Sequence, residues 1–304
     1  MKISLHKRKD IVDNKWNACI EQSNMDHLYA HTWYLDIVSP DWEALILDDY
    51  SAVMPLPTKK RMGFRYLTHP CWVQQLGIFS TMDLSPSTVH SFLNNIPYLF
   101  RTIQINASHI SESLLTQATP LPNLELKLSN DYNKLYEHFS TNTIRNIKKS
   151  KKNNLTIQQC DKTHEFISFL QQNARFETTP SQLTILSKII SQSIILNTGW
   201  ISRATNQNGD CLAMVFFAKT KNRLVYHTSV STPIGYELGA TYSIVNDAIA
   251  KYCNTELILD FEGSSHLGIR RFFEGFGAVN HPYLSIQYNT IPQKIIKKII
   301  NGLL

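Results

Sequence analysis

The chain of 304 residues predicts an α+β (α/β) protein built as two units, each a mixed sheet flanked by helices. Three observations predict it. That length exceeds most single compact cores, so one large or two moderate domains are expected. Apolar, β-prone runs at 42–47 and 52–56 flank Asp48-Asp49-Tyr50-Ser51, and runs at 200–205 and 212–218 flank Asn206-Gln207-Asn208-Gly209-Asp210, both with hairpin-turn composition. The order of elements then repeats between the halves at an offset of roughly 155 residues, although the spelling does not, which marks a doubled core rather than a solenoid.

Taken in order, 3–5 reads as a short strand, and a helix follows over 10–22, with Ile11, Trp16, Cys19 and Ile20 at near-helical spacing. After the first hairpin, a strand is expected at 64–68 and a helix at 87–95, started by Ser85 and Pro86. Residues 99–105 give another strand. Pro120 and Pro122 mark 116–123 as a crossover or linker. Helices at 131–139, 141–153, 164–176 and 181–196 lead to the second hairpin, and 223–230 alternates as a third strand. Pro233, Gly235 and Gly239 punctuate the chain before a helix over 240–252, and 257–261 is the next strand.

Composition bounds the function. Hydrophobic content of 43% with 18% charged residues is ordinary for a globular protein. Cys19, Cys71, Cys160, Cys211 and Cys253 are scattered, with no CxxC pair, so neither a metal site nor a disulfide framework is expected and a reducing, cytoplasmic location is. No apolar run reaches the roughly 18 residues that span a bilayer, so no integral membrane span is expected. The net charge of +6 is concentrated: Arg145, Lys148, Lys149, Lys151 and Lys152 lie close together, and Lys294, Lys297 and Lys298 form a second group. On a helix, Arg145, Lys148, Lys149 and Lys152 fall on one stripe, suited to an anion such as a tRNA backbone or coenzyme A phosphates, or simply to solvent. No aromatics interleave with them, and DNA is not an expected partner. Ile295, Ile296, Ile299, Ile300, Leu303 and Leu304 make an apolar stripe within 292–304, for docking on its own core, a peripheral membrane surface or a dimer contact.

The segment at 257–264 carries the chemistry. An apolar strand delivers Asp260 and Glu262, two apart and so on one face, immediately before Gly263 and a short amphipathic helix. Paired acids at a strand mouth suit removal of a proton from an incoming nucleophile; capping of the next helix is the plainer alternative. On the strand at 223–230, Tyr226 and Thr228 are expected on one face, His227 and Ser229 on the other. Tyr226 or His227 is placed to exchange a proton, although a lone strand histidine is more often structural.

A strand hairpin, a further strand, a glycine turn, a helix and another strand form the order of the GNAT acyltransferase core, and here it occurs twice. The chain resembles the FemABX-like branch of that superfamily, whose members are tandem GNAT-fold proteins. The resemblance rests on Pro55-Leu56-Pro57, Gln74-Gln75-Leu76-Gly77-Ile78-Phe79, Thr143-Ile144-Arg145-Asn146-Ile147-Lys148-Lys149, Tyr236-Glu237-Leu238-Gly239-Ala240 and the stretch 260–278. The order of these motifs over nearly the whole chain is more specific than their spelling.

The resemblance implies transfer of an acyl or aminoacyl group to a small-molecule or peptide amine. The implied donor is acyl-coenzyme A or, as in the peptidoglycan-bridge and leucyl/phenylalanyl-transferase relatives, aminoacyl-tRNA. In those relatives an acid and a glutamine stand two apart where this chain has Asp260 and Glu262. By the same resemblance 1–122 is the acceptor side, with Gln74 and Gln75 in its groove. Residues 123–304, with a helical insertion at 161–197, are the donor and catalytic side. The donor would lie along Ser229, Gly235, Gly239, Ala240 and Thr241, where glycines permit close backbone approach. Tyr236 and Thr241 depart from the usual phosphate signature, which leaves tight helix packing as the alternative. Loss of the donor site would leave a non-catalytic binding or scaffold protein.

Overall fold

The computed structural model describes residues 2–61, 64–98, 100–106, 118–264 and 266–289. They fall into two compact units: the first runs to Leu121 and resumes at Pro282, and the second spans Pro122–His281.

The first unit opens with β1 (Ile3–Lys7), α1 (Asp13–Gln22), α2 (Thr32–Val38), β2 (Glu43–Leu47) and β3 (Ala52–Leu56). There follow β4 (Thr58–Arg61), β5 (Phe64–Leu67), β6 (Phe79–Ser80), α3 (Pro86–Asn94), β7 (Phe100–Asn106) and β8 (Ala118–Leu121). A four-stranded sheet has the order β1-β2-β3-β6, and β4 and β5 form a separate hairpin. Every residue of β2 and β3 is buried, as the apolar run 44–47 and β3 require of strands covered on both faces. Trp16, Cys19 and Ile20 form the buried face of α1. The start of α3 follows the sequence signal: the Ser85 side chain accepts from the Thr88 N–H, and Pro86 takes the first turn, where no N–H is needed.

The second unit holds β9 (Leu124–Lys127), α4 (Tyr132–Glu137), α5 (Thr141–Lys152), β10 (Thr156–Cys160), α6 (Thr163–Asn173) and α7 (Pro180–Ile195). It continues with β11 (Gly199–Thr205), β12 (Cys211–Lys219), β13 (Arg223–Ser231), α8 (Pro233–Leu238) and α9 (Ala240–Tyr252). It closes with β14 (Ile258–Asp260), α10 (Leu267–Glu274) and β15 (Val279–Asn280). Its single sheet runs β10-β11-β12-β13-β14-β9-β15, antiparallel everywhere except between β13 and β14. Val215, Phe217, Leu224 and Tyr226 from the sheet pack with Ile244 and Val245 of α9 and with Phe261, Phe273 and Phe276. Each such fully buried side chain contributes about 1.5–3 kcal/mol of transfer free energy.

The last described strand, β16 (Tyr283–Asn289), returns to the first unit between β7 and β8, antiparallel to both. The sequence reading places all of 123–304 in one unit; the structure returns residues 282–289 to the first, because β16 completes a sheet that β7 and β8 leave unpaired. The expected linker at 116–123 likewise contains β8, whose Pro120 is tolerated on an edge strand. The stripe at 292–304 lies outside the described residues.

Candidate active site at the parting of two strands

The parallel pair β13/β14 is short. Arg223, Leu224 and Val225 stand opposite Ile258, Leu259 and Asp260, and there the pairing stops. Beyond Asp260 the chain follows β9 instead: the Phe261 N–H donates to the Leu124 carbonyl at 2.9 Å, and the Leu124 N–H to the Glu262 carbonyl at 2.8 Å. Strand β13 runs on to Ser231, so the edge of Tyr226–Ser231 is no longer covered by β14.

A bulge sits at the same level. Phe217 pairs with Tyr226 and Phe216 with Thr228, which leaves His227 as the extra residue on β13. The bulge overturns the simple alternation expected for this strand. Directly opposed residues share a face, so Tyr226 goes with Phe217, and Ser229 goes with Val215. Both partners belong to the core under α9. Tyr226 and Ser229 therefore share one face. Thr228 instead joins His227, whose Nδ1 lies 2.7 Å from the Thr228 hydroxyl and whose ring packs on Phe216 at 5.2 Å. Burial pushes the Tyr226 hydroxyl above its ordinary range, keeping it a protonated donor at neutral pH. The same cause lowers the His227 imidazole to about 4, so it is neutral and structural.

The acid pair differs from expectation. Asp260 is 1% exposed and closes a buried network. Arg223 Nη1 donates to Asp260 Oδ2 at 2.8 Å and to Glu125 Oε1 at 2.7 Å, and the Glu262 N–H donates to Asp260 Oδ1 at 2.9 Å. Burial raises the Asp260 carboxyl, with the Arg223 charge pulling the other way. Both Asp260 oxygens accept hydrogen bonds inside this network, which ties β14 to β13 and β9. Glu262 lies two residues past the strand with left-handed backbone, φ 57°, and is half-buried. The strand ends before it, so the two acids do not share a strand face.

The expected donor stretch is a helix corner. The Gly235 N–H is spent on the Thr232 hydroxyl that caps α8, at 2.9 Å, and a Cβ there would stand 2.2 Å from the Leu212 carbonyl oxygen. Gly239, at φ 72°, joins α8 to α9 in the left-handed region, with the Asn146 carbonyl of α5 at its back. Ala240 is buried and Thr241 half-buried. This corner explains the glycines by packing rather than by a phosphate cradle. It does bring two expected sites together, because α5 is the basic helix. Arg145, Lys148, Lys149 and Lys152 are all exposed on α5, while Thr143, Ile147 and Ser150 form its buried face. Among the described residues no carboxylate lies within 4.0 Å of these four cations. Three of the helix's lysines sit in its last turn, where the dipole favours them.

Gln74 and Gln75 lie in the first unit, before β6. Gln75 is buried and its Nε2 donates to Gln74 Oε1 at 3.1 Å. Three residues of interest were not anticipated. Glu125 and Arg223 complete the Asp260 network, and no pattern in sequence links them. Arg175 stacks over the exposed Tyr236 ring at 3.9 Å, again across a long sequence separation. Among the described residues no group of His, Cys, Asp or Glu is arranged to hold a metal ion, and no helix is long and apolar enough to cross a membrane.

Solved structures decide the fold. The structure of FemX superposes with a TM-score of 0.71, covering 99% of this chain and 100% of that one at 9% identity. This is the FemX fold. L-PGS from Bacillus licheniformis matches with a TM-score of 0.54 over 96% of both chains at 12% identity. The C-terminal domain of a candidate lysylphosphatidylglycerol synthetase from Agrobacterium fabrum matches with a TM-score of 0.50, over 94% of this chain and 96% of that one, at 12% identity. No family profile and no curated protein sequence matches the chain. The mixed α/β fold expected from the sequence is thus the fold of the chain, and it is the one seen in FemX.

Proposed function

We propose that the protein is an acyltransferase that passes an acyl or aminoacyl group to an amine, with the chemistry at the parting of β13 and β14. One observation carries the reading: the parallel strands separate after Val225 and Asp260, beside a bulge that sets Tyr226 and Ser229 on one face. The acceptor nitrogen attacks the acyl carbonyl, and a backbone N–H on the uncovered edge of β13 stabilises the oxyanion. As the intermediate collapses, the bond to the donor sulfur or ribose oxygen breaks. The Tyr226–Ser229 pair supplies a proton to that leaving atom, and the half-buried Glu262 receives the one lost by the amine. The two units are read as tandem copies of one core, the first shaping the acceptor groove through Gln74 and Gln75, in a cytoplasmic protein.

Two donors are compatible with the fold, acyl-coenzyme A and aminoacyl-tRNA. The internally used N–H of Gly235 and the exposed cations of α5 favour the tRNA. The names of FemX and of the lysylphosphatidylglycerol synthetase candidate support an aminoacyl donor in the same direction. The test is discharge of labelled aminoacyl-tRNA and of acetyl-coenzyme A onto a panel of amines, with melting temperature followed for each donor. Discharge that depends on Tyr226 and Glu262 is expected. A protein that neither binds nor discharges any donor is instead a scaffold of this fold, a second reading that the sealed Asp260 carboxylate favours.

A further inference from the structure

Tyr236 departs from the phosphate signature at its position and takes no part in the chemistry proposed above. In the fold it supports Arg175, whose guanidinium carbon lies 3.9 Å from the ring centre, at van der Waals distance. Both partners are anchored to β13. Helix α8, which bears Tyr236, starts two residues past the end of that strand, and the Tyr236 N–H donates to the carbonyl of its capping residue, Thr232, at 3.0 Å. Helix α6 packs on β13, and Arg175 is the second residue past its end. The Tyr236 hydroxyl is also among the groups that raise the Tyr226 hydroxyl, so it stands within electrostatic reach of the proposed proton donor.

Arg175 and Tyr236 are both exposed. Among the described residues no carboxylate lies within 4.0 Å of Arg175, so the ring and not an ion pair sets its place. Excess positive charge is not what the pair offers, since the exposed Glu177 and Glu237 stand close by in the chain. A planar cation on an aromatic ring offers a stacking platform instead, and its guest is a flat, electron-rich ring such as a nucleobase. Aminoacyl-tRNA ends in an adenosine whose ribose bears the aminoacyl ester, so its adenine is one sugar away from the reacting carbonyl. In coenzyme A the whole pantetheine and diphosphate arm separates adenine from the thioester. A platform beside Tyr226 suits the first arrangement and not the second.

We propose that the Arg175–Tyr236 stack receives the terminal adenine of an aminoacyl-tRNA donor. The assignment rests on the transfer chemistry proposed at β13 and gives that site a nucleoside subsite. The experiment is calorimetric titration of the full chain with a donor end that cannot be transferred, 3′-deoxy-3′-glycylamido-adenosine, and with the same sugar amide lacking its base. It is run on the wild type and on Arg175→Lys, Arg175→Ala and Tyr236→Ala variants. Both positions are exposed, and an unchanged melting curve shows that each variant folds. The adenosine analogue is expected to bind the wild type and the base-free amide not to bind. Each variant should bind the analogue about tenfold or more weakly, Arg175→Lys included, because lysine keeps the charge and loses the plane. Equal affinity in the wild type and Arg175→Lys overturns the proposal, as does equal binding of the base-free amide. Absence of heat at about 5 mM analogue, a concentration that detects even weak sites, overturns it too. Discharge of bulk labelled aminoacyl-tRNA by the same proteins separates the two levels. Discharge that is undiminished in the variants overturns the stack alone, whereas a wild type that discharges nothing overturns the transfer chemistry and the stack with it.

Discussion

His227 makes the stability of the second unit depend on pH in a way that can be calculated. Its imidazole is 8% exposed, and burial lowers it from 6.5 to about 4. Between those values the unfolded chain binds a proton that the folded protein refuses, so stability is complete above the unfolded value and is lost as pH falls through the window. At about 1.4 kcal/mol per pH unit the full loss is about 3 kcal/mol, and about 2 kcal/mol of it is expressed by about pH 5. The perturbation is His227→Gln, which keeps a polar, uncharged side chain at the bulge. Urea unfolding of both proteins at about pH 7.5 and about pH 5 isolates the histidine, because every other titrating group cancels in the difference. The wild type should lose about 2 kcal/mol more than the variant between the two conditions. Equal losses would refute the reasoning: the ring would then be protonated in the folded protein, and the bulge solvated.

Three further outcomes are expected. Arg223→Met leaves the buried Asp260 and the half-buried Glu125 without their shared cation and should cost about 3–5 kcal/mol, read as a lowered urea midpoint; an unchanged midpoint would show that water reaches the network. Tyr226→Phe keeps the ring in its aromatic cluster but removes its hydroxyl, so the proposed transfer should fall about 100-fold while the melt moves little; undiminished turnover would remove Tyr226 from the chemistry. Gly235→Ala drives a methyl to 2.2 Å from the Leu212 oxygen and should destabilise by about 1–3 kcal/mol or more; a neutral result would mean that α8 can shift away from β12.

Much of the fold was legible because its signals are local. Ser85-Pro86 starts α3, the Asn206–Asp210 turn joins β11 to β12, and apolar runs become buried strands. Strands β4 and β10 were missed because Thr-Lys-Lys-Arg and Thr-Ile-Gln-Gln-Cys carry little apolar character; the first forms an isolated hairpin and the second an edge, where polar residues are tolerated. The site was legible only as a neighbourhood. The sequence placed chemistry on the strands that become β13 and β14, but faces were assigned from strict alternation, and a bulge breaks alternation without any sequence mark. The network around Asp260 was not legible, because Arg223 lies 37 positions from Asp260 and Glu125 lies 98 positions from Arg223, beyond any local pattern. The helix-packing role of Gly235 and Gly239 depends likewise on Leu212 and Asn146, which only the folded chain brings near.

The return of β16 to the first unit has a consequence for biosynthesis. Tyr283 pairs with Leu121, so the segments entering and leaving the second unit are neighbouring strands, and that unit is inserted between them. A ribosome making this chain releases β7 and β8 long before the strand that joins them. Their sheet waits, half-built, until some 160 intervening residues have emerged, and those residues are free to fold first. Cutting the gene at a single boundary would leave the amino-terminal piece lacking its central strand; a clean excision needs two cuts and a splice.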